Sequence, residues 1–555
     1  MGLTEAGEFQ APGFHLRLWS HGADDPLQVH RGEDGSFAVS LGTLIHGGAT
    51  GAAALRHLSE DWAGGEAPLP AGALGHFIVL LGRGDRLRLF TDPASAAMVF
   101  SSGDGTAWSS SFLLLADGLR TATLNSAAVY EYVLTGAVTG EQSLVDEIAR
   151  LPFGSSMVVD GGTATVRRGV SHAPVVSRLS RQDLLEQALE RLDGVVASID
   201  GAFGGRVRCA LTGGYDSRLI YALLRRRGVV PGLLTYRIDE AEVELVKALA
   251  AAEGVALEVI DKDAPPRPAV EEFAALADAN FHSSDGCFSA GIFNTHFESA
   301  QRAYRSRDGH VFLHGGGGEV FRNFFMLPAG RCTAADVVRA GFAKFDQGVC
   351  IGPFRQEAFV EHMAAKIAAL AGVSPRSRLD RPVVEWLYPT FRCRAWFGRE
   401  NTLNCQNSNT LLPFLAPEVA DFSATIPVTY KDAGAFEGEL IARAWPSVAG
   451  LASQYGHGFD QPPPLRRRLG DLVKTQLPPA LRPLLYGWRQ RRRPAPQIPL
   501  LGGSYVAAAL PEGVQWMRTL FEPSRMTDAG QISRVLTAEY LACWLGDRAR
   551  ADWRA

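Results

Sequence analysis

The chain has 555 residues, of which 46% are hydrophobic and 21% charged, and its formal net charge is −4. This composition is typical of a globular protein of several domains, and the slight acidity argues against nucleic-acid binding along the whole chain. No apolar run is long enough to span a membrane, and the N-terminus lacks the features of a signal peptide. The seven cysteines have no paired spacing, so we expect free thiols in a cytoplasmic protein.

Residues 1–170 are predicted to form an α+β sandwich that is rich in strands. Turn-forming residues separate short apolar runs, and Gly82-Arg83-Gly84-Asp85 is typical of a hairpin turn. The predicted strands cover 37–41, 77–81, 87–90 and 155–159, and the predicted helices cover 52–62 and 127–134.

Residues 171–460 are predicted to form an α/β domain. After a helix at 184–192 that Ser180 would cap, strands and helices alternate. The strands are expected at 207–211, 233–236, 256–260 and 311–313, and the helices at 219–226, 240–253, 269–279 and 290–303. Alternation of this length implies a parallel, doubly wound sheet that binds ligands at the carboxyl ends of its strands. Thr212, Tyr236 and His314 are therefore expected around one crevice.

Residues after 331 are predicted to be mostly helical, because apolar residues recur at helical spacing. The helical runs cover 334–345, 356–371, 383–398 and 535–545. Residues 461–555 are expected to form a basic connector followed by C-terminal helices that pack on the preceding domain.

The first strand of the alternating region ends in a glycine loop, Thr212-Gly213-Gly214-Tyr215-Asp216-Ser217. Two adjacent glycines let backbone N–H groups close around an anion, and the dipole of the following helix favours negative charge there. Asp216 falls in the first helical turn, where a carboxylate could hold Mg²⁺ on a phosphate oxygen. The alternative is a simple strand-to-helix turn with a chance capping pair.

A second glycine-rich loop, from His314 to Gly318, follows the strand at 311–313 and ends at Glu319. Such a loop at the start of a helix can contact the same nucleotide as the first loop. Glu319 is a second candidate ligand for Mg²⁺, although a carboxylate in a first helical turn is also favourable for the helix dipole alone.

These motifs resemble those of known enzymes. The first loop resembles the Ser-Gly-Gly-x-Asp-Ser loop of ATP pyrophosphatases, and the order of motifs up to about residue 460 resembles the asparagine synthetase family. The resemblance implies an N-terminal glutaminase-like (Ntn-type) sandwich, followed by an ATP-pyrophosphatase domain with a parallel sheet. It also implies ATP and Mg²⁺ as cofactors. By this resemblance the residues that bind ATP and pyrophosphate are Leu211, Thr212, Gly213, Gly214, Asp216, Ser217, Tyr236, His314, Gly315 and Gly317, and the metal ligands are Asp216 and Glu319.

The glutaminase-like region departs from the family pattern at its catalytic positions. Gly2 stands where an active glutaminase exposes its nucleophilic cysteine, and no cysteine precedes Cys209. The family's Asn-Gly pair, whose asparagine stabilises the oxyanion, falls at Leu41-Gly42. We therefore expect a domain that does not hydrolyse glutamine.

The acceptor side also departs from the family. Asn407-Ser-Asn409-Thr-Leu411 replaces the family's Ser-Leu-Glu-x-Arg, and Gly456 occupies the position of a catalytic lysine. Gly316 occupies the position of the tyrosine in β-lactam synthetases. The catalytic group on this side is not identified by the sequence, and the candidates are Asp285, Lys431 and Arg443. For Asp285, helix capping is an equally good interpretation.

The segment from Pro462 to Pro494 contains nine Lys or Arg residues and one Asp. It is interpreted either as a solvated connector or as a surface for an acidic peptide or protein.

An ATP loop, a degenerate glutaminase and a changed acceptor side together resemble the lasso peptide cyclases, which are asparagine-synthetase-like macrolactam synthetases. The resemblance implies adenylation of an Asp or Glu side chain of a precursor peptide, and attack by the peptide's N-terminal amine. The implied partners are the precursor peptide, a leader-recognition protein and a leader protease. The alternatives are a β-lactam-synthetase-like or asparagine-synthetase-like ligase of small substrates, or a non-catalytic scaffold that binds nucleotide or peptide.

Overall fold

The computed structural model describes residues 3–20, 27–62, 72–169, 173–261, 267–293, 298–494 and 498–552. In residues 1–170 the elements are β1 (Thr4–Ala11), β2 (Phe14–Ser20), β3 (Gln28–Arg31), β4 (Phe37–His46), β5 (Ala49–Thr50), α1 (Gly51–Trp62), β6 (Leu74–Arg83), β7 (Arg86–Thr91), β8 (Phe100–Ser102), β9 (Trp108–Ser109), α2 (Phe112–Asp117), β10 (Ala122–Asn125), α3 (Ser126–Thr135), β11 (Ile148–Arg150), β12 (Ser155–Asp160) and β13 (Thr163–Arg168).

The elements of residues 171–460 are α4 (Arg181–Phe203), β14 (Val207–Ala210), α5 (Tyr215–Arg226), β15 (Gly232–Tyr236), α6 (Glu240–Ala252), β16 (Leu257–Ile260), α7 (Val270–Ser283), α8 (Glu298–Arg305), β17 (Val311–Leu313), β18 (Cys332–Thr333), α9 (Ala334–Gly341), α10 (Gln356–Leu370), β19 (Arg378–Leu379), α11 (Arg381–Leu387), α12 (Arg394–Asn407), β20 (Thr410–Leu411), α13 (Pro417–Thr425), α14 (Val428–Lys431), α15 (Ala435–Ala444) and α16 (Pro446–Ala449). Residues 461–555 contribute α17 (Leu465–Gln476), α18 (Arg482–Gln490), α19 (Gly503–Ala509), α20 (Ala529–Leu545) and β21 (Ala549–Asp552).

The N-terminal part is built on one antiparallel sheet with the strand order β13-β12-β7-β6-β4-β3 and with β5 paired to β4. One face packs against α1, where Leu55 and Leu58 join a cluster with Phe77 and Phe90. The opposite face packs against the β1–β2 hairpin, and the ring of Phe9 stacks on Phe37 with centroids 4.0 Å apart. Each predicted strand and helix of this part is present, and the sheet is covered by apolar side chains on both faces.

The second sheet has the order β16-β15-β14-β17-β20, and every neighbouring pair in it is parallel. The four strands predicted from the sequence form its first four positions. The fifth, β20, was not predicted because a two-residue strand carries no periodicity. It joins the two parts of the chain, since the Thr410 N–H donates to the Thr43 hydroxyl at 3.1 Å and the Leu412 N–H donates to His76 Nε2 at 3.1 Å.

Two helix predictions need correction. Residues 290–293 are not helical, so the helix predicted over 290–303 is wrong there, whereas α8 covers its last part; residues 294–297 lie outside the described residues. The helix predicted over 383–398 is interrupted by a π-helical segment, Tyr388–Cys393. Pro389 lies in that segment, and it accounts for the break because proline has no N–H to donate and its ring clashes with the preceding turn.

The C-terminal region makes more contacts than expected. The basic segment, expected as a connector, folds into the helices α17 and α18. The last elements pack on the N-terminal part as well as on the middle one: β21 pairs in parallel with β10, and Arg534 of α20 donates to the carbonyl of Val133 at 3.0 Å. All seven cysteines are free thiols. Within the described ranges, no helix is both long and apolar enough to cross a bilayer.

Candidate functional site

The first glycine loop is closed by its own hydroxyl groups. Thr212 and Ser217 lie 2.7 Å apart through their hydroxyl oxygens, and the N–H of Gly214 donates to Thr212 Oγ1 at 3.2 Å. Gly214 is the N-cap of α5 and supplies no capping side chain. The first turn of α5 thus keeps the positive end of its dipole at the carboxyl edge of β14, which suits a bound anion.

The second glycine loop packs directly on the start of α5. A Cβ on Gly315 would lie 3.0 Å from the backbone nitrogen of Ser217, and a Cβ on Gly318 would collide with the carboxylate of Asp216. Gly317 has a φ of +92°, which an L-residue with a side chain rarely adopts. The two loops therefore touch at Asp216, and the glycines are required by this close approach.

Asp216 belongs to a partly buried cluster of three carboxylates around one guanidinium. Arg322 donates to both oxygens of Asp216, at 2.7 and 2.9 Å, and lies 3.4 Å from Glu319 and 3.2 Å from Glu437. The hydroxyl of Tyr388 donates to Glu319. We name these five residues the Asp216 cluster. Glu437 and Tyr388 were not predicted, because they are brought to the loops by α15 and by the π-helical segment.

The Asp216 cluster has an excess of negative charge. Burial raises the pKa of Asp216, although Arg322 opposes the shift. Burial, and then the charge of Asp216, hold the pKa of Glu437 well above its usual value. The same carboxylates leave the pKa of Arg322 well above its usual value despite burial. The oxygens of Glu437 have no hydrogen-bond partner within the described residues. An additional cation would relieve this repulsion.

The donor set is compatible with Mg²⁺. Carboxylate oxygens are its preferred protein ligands, and Mg²⁺ is usually held by one or two carboxylates together with substrate phosphates. Among the residues that the structure describes, no three or more His, Cys, Asp or Glu side chains are arranged to hold a metal by themselves. Asp216 and Glu319 are therefore suitable ligands for a metal that arrives with a nucleotide, and not for a metal cage made of protein alone.

The crevice at the strand ends contains the other predicted residues. β15 and β17 flank β14, so Tyr236 and His314 lie on either side of the glycine loop. His314 Nδ1 accepts the N–H of Gly316 at 2.9 Å, and burial lowers the pKa of the ring, which favours the neutral form with its proton on Nε2. The hydroxyl of Tyr236 accepts a hydrogen bond from Arg305.

A segment around residue 455 covers the first loop. Gln454 donates its N–H to the carbonyl of Gly213 at 3.0 Å. The ring of Tyr215 lies 4.1 Å from that of Phe459 and 5.0 Å from that of Tyr455. Leu211, which precedes the loop, is buried, and its apolar side chain cannot form a hydrogen bond to a ligand.

The basic segment reaches this site. Arg467 of α17 places its guanidinium 4.0 Å from the ring centre of Tyr455 and 5.3 Å from that of Tyr215. Its Nη1 is buried and has no hydrogen-bond partner within the described residues. Gly456, which stands at the family's lysine position, has a φ of +77° and forms a turn. Arg467 therefore brings a cation to the region that the sequence alone leaves without one.

Asp285 and Arg443 are placed outside the Asp216 cluster. Asp285 accepts the N–H groups of Phe112 and Leu113 at 2.7 and 3.0 Å and also pairs with Arg399. It therefore caps α2 of the N-terminal part instead of a helix next to it in sequence. Arg443 donates to the side chain of Gln182 at 2.6 Å and links α15 to α4. Both positions are explained by structural contacts.

Lys431 belongs to another charge cluster, whose members are all buried. Its Nζ lies 2.7 Å from one carboxylate oxygen of Glu385, and Arg381 donates to the other oxygen at 2.7 Å. Burial lowers the pKa of Lys431, and Glu385 offsets part of that shift. Burial alone would raise the pKa of Glu385, but Lys431 and Arg381 outweigh it and leave the pKa lowered. We name these three residues the Lys431 cluster.

A large cavity lies between the N-terminal part and helices α10 to α13. Its volume is about 1490 Å³. Its wall includes Arg150 and Phe153 from the N-terminal part, and Trp386, Phe391 and Arg394 from the region around the π-helical segment. That segment also carries Tyr388, so one short stretch of backbone contributes to the cavity on one side and to the Asp216 cluster on the other.

Gly42, which follows Leu41 at the position expected for the oxyanion asparagine, packs closely against a side chain from α12. A Cβ on Gly42 would lie 2.6 Å from the sulfur of Cys405 in α12. Burial holds the pKa of this thiol well above its usual value, which makes it unreactive. Gly2, which stands at the position expected for a glutaminase nucleophile, lies outside the described residues.

Comparison of the sequence with protein-family models and with curated proteins finds no match. The resemblance to the asparagine synthetase family therefore rests on the sequence motifs alone.

Proposed function

We propose that the protein is an ATP-dependent, AMP-forming ligase that makes an amide bond within a peptide. The observation that carries the proposal is the contact of two glycine loops at Asp216, on the carboxyl edge of a parallel sheet, with carboxylates in excess of cations. A parallel sheet binds ligands at this edge, and an N-terminal helix turn without a capping side chain suits a phosphate group.

In the proposed reaction, a substrate carboxylate attacks the α-phosphorus of ATP, the bond to the β-phosphate oxygen breaks, and pyrophosphate leaves. The amine then attacks the acyl carbon, and AMP leaves as the amine loses its proton. The backbone N–H groups at the start of α5 bind the pyrophosphate, and Asp216 and Glu319 would hold the metal. Mg²⁺ supplies neutralising charge to the leaving pyrophosphate. Arg467 adds a positive charge beside Tyr455, in the segment that covers the first glycine loop.

The cavity supports a peptide as the substrate. Its volume of about 1490 Å³ exceeds the range of roughly 300–1,000 Å³ that is usual for small-molecule sites. By the family resemblance the substrate is a lasso precursor peptide, whose own N-terminal amine closes the ring. Proximity of amine and activated acid within one bound molecule then replaces an ammonia supply. On this proposal the protein acts in the cytoplasm, with a leader-recognition protein and a leader protease as partners.

The test is pyrophosphate release from ATP in the presence of different acids. Purified protein is incubated with ATP and Mg²⁺, together with free aspartate, a small β-amino acid, or leaderless peptides with Asp or Glu at ring-forming spacing. We expect release with a peptide and a product lighter than that peptide by one water. Equal release with free aspartate would contradict the peptide assignment, and no release with any acid would contradict the ligase assignment.

A further inference from the structure

Helix α17 carries its apolar stripe on the side that faces away from the protein. Leu465, Leu469, Leu472 and Val473 recur at helical spacing, and all four are exposed, with Leu465 at 71% and Val473 at 70%. The buried residue of the helix is Thr475. A helix on a globular protein normally turns such a stripe toward the core. In α17 the orientation is the reverse.

Helix α18 shows the same reversal. Leu484, Leu485 and Trp488 are exposed, with Trp488 at 52%, whereas the residues turned inward are Pro483, Gly487 and Gln490. The two helices are joined by Arg482, which donates to the carbonyl of Lys474 at 2.9 Å. We name as the outward apolar surface the exposed residues Leu465, Leu469, Leu472, Val473, Leu481, Leu484, Leu485 and Trp488.

Positive charge flanks the outward apolar surface. Nine Lys or Arg residues and a single Asp lie between Pro462 and Pro494, in a chain whose net charge is −4. Arg466 and Arg468 are exposed next to the stripe of α17, and the guanidinium of Arg492 lies 3.7 Å above the ring of Trp488. Asp471 pairs with Lys474 and Asp346 pairs with Arg491, whereas the remaining exposed cations of the segment are Arg466, Arg468, Arg489, Arg492 and Arg493. A partner that complements this surface must combine negative charge with an apolar interior.

We propose that α17 and α18 bind the surface of an anionic lipid bilayer. The exposed apolar residues are leucine and valine except for one tryptophan, and leucine and valine are under-represented among the residues that dominate protein interfaces. Interfacial helices combine Lys or Arg on their polar side with Leu and Trp on the other, and tryptophan sits at the level of the headgroups. A peripheral contact of this kind needs no membrane-spanning helix. The proposal does not depend on the proposed ligase activity.

The experiment is co-sedimentation of the full chain with vesicles. One set is made of phosphatidylcholine alone, and the other of equal parts phosphatidylcholine and phosphatidylglycerol. We expect binding to the anionic vesicles, with the bound fraction falling as salt rises, because screening weakens attraction to the headgroups. The combined Leu465→Ser, Leu469→Ser, Leu472→Ser and Val473→Ser variant should bind at least about tenfold more weakly, since the inserted apolar area is lost.

The matched control is the Leu114→Ser, Val230→Ser variant, which changes two exposed apolar residues elsewhere. It should bind anionic vesicles as the unchanged chain does. Far-ultraviolet circular dichroism reports whether each variant is folded. If the four-serine variant is not folded, the Arg466→Gln, Arg468→Gln variant must bind anionic vesicles more weakly than the unchanged chain.

The proposal is overturned if the unchanged chain stays in the supernatant of anionic vesicles, or binds neutral vesicles equally well. It is also overturned by a self-association that the four-serine variant abolishes without any vesicle binding, which would assign the surface to a second copy.

Discussion

The Asp216 cluster is partly buried and the Lys431 cluster is fully buried, and the two also differ in charge balance. In the Asp216 cluster three carboxylates share one guanidinium, whereas in the Lys431 cluster one carboxylate is shared by an ammonium and a guanidinium. The carboxyl pKa is raised in the first and lowered in the second. In the Lys431 cluster the carboxylate is fully paired with cations, whereas in the Asp216 cluster the carboxylates outnumber the cations, so that an added cation would be stabilised there. We therefore expect the Asp216 cluster to bind a ligand and the Lys431 cluster to stabilise the fold.

The largest effect is expected from Asp216→Asn. This change removes the carboxylate that both loops meet, so pyrophosphate release should fall at least about hundredfold, the scale of losing one preorganised charge at a reacting phosphate. The unfolding free energy should change little or rise, because a charge that repels Glu437 is gone. Steady-state pyrophosphate release and denaturant unfolding measure the two quantities. If Asp216→Asn releases pyrophosphate at close to the rate of the unchanged chain, the Asp216 cluster is not the binding site.

Lys431→Met is expected to have the opposite effect to that of Asp216→Asn, namely a loss of stability. The change leaves Glu385 buried without its ammonium partner, and breaking a buried pair on one side costs about 3–5 kcal/mol of stability. Urea unfolding followed by tryptophan fluorescence measures the loss. The double variant Lys431→Met, Glu385→Gln is the matched control and should recover part of it. If Lys431→Met abolishes pyrophosphate release without loss of stability, Lys431 acts in catalysis and the comparison fails.

The two clusters should also respond oppositely to pH. Glu437 has a raised pKa, so its contribution to stability is greatest at low pH and declines as pH rises from about 4.5 toward its folded pKa. Glu385 has a lowered pKa, so its contribution is present above about 4.5 and is lost as pH falls through its folded pKa. Glu437→Gln mimics the protonated form. It should be more stable than the unchanged chain by roughly 1–3 kcal/mol at pH 7, the scale for relieving an unsatisfied buried polar group.

The test is to measure the unfolding free energies of the unchanged protein and of the Glu437→Gln variant from pH 4 to pH 8. The difference should vanish near pH 4, where Glu437 is protonated in both folded and unfolded states. A difference that is independent of pH would mean that Glu437 does not titrate with the cluster.

The smallest effect is expected from Arg467→Gln. Its guanidinium lies over Tyr455 and adds positive charge near the unbalanced cluster, so its loss should raise the KM for ATP about tenfold, equivalent to roughly 1.4 kcal/mol. Arg466→Gln, at the exposed neighbour, is the matched control and should leave the KM unchanged. An equal effect of both variants would indicate long-range charge instead of a local contact.

The features that could be predicted from the sequence are those with local causes. Gly213 and Gly214 predict the loop because a strand, a tight turn and a helix start follow one another within a few residues. Asp216 and Glu319 could be placed near each other because parallel strands end at one edge. The sequence near Tyr388 and Glu437 carries no motif that predicts a place in the site. Tyr388 is brought to the loops by the π-helical segment, and Glu437 by α15, which is distant from the loops in sequence. Arg467 was grouped by composition with a connector, and only tertiary packing places it beside Tyr455.

Because β10 pairs with β21, this N-terminal strand cannot complete its pairing until the C-terminal strand has been synthesised. Ala122 lies opposite Ala549, so β10 obtains its partner from residues that are synthesised only after the whole α/β region that lies between them in the sequence. Until then the edge of β10 and the face of α3 that receives α20 remain uncovered, and uncovered edges and apolar faces favour aggregation of a nascent chain. Production of the intact protein is therefore expected to depend on chaperones that protect this surface during translation.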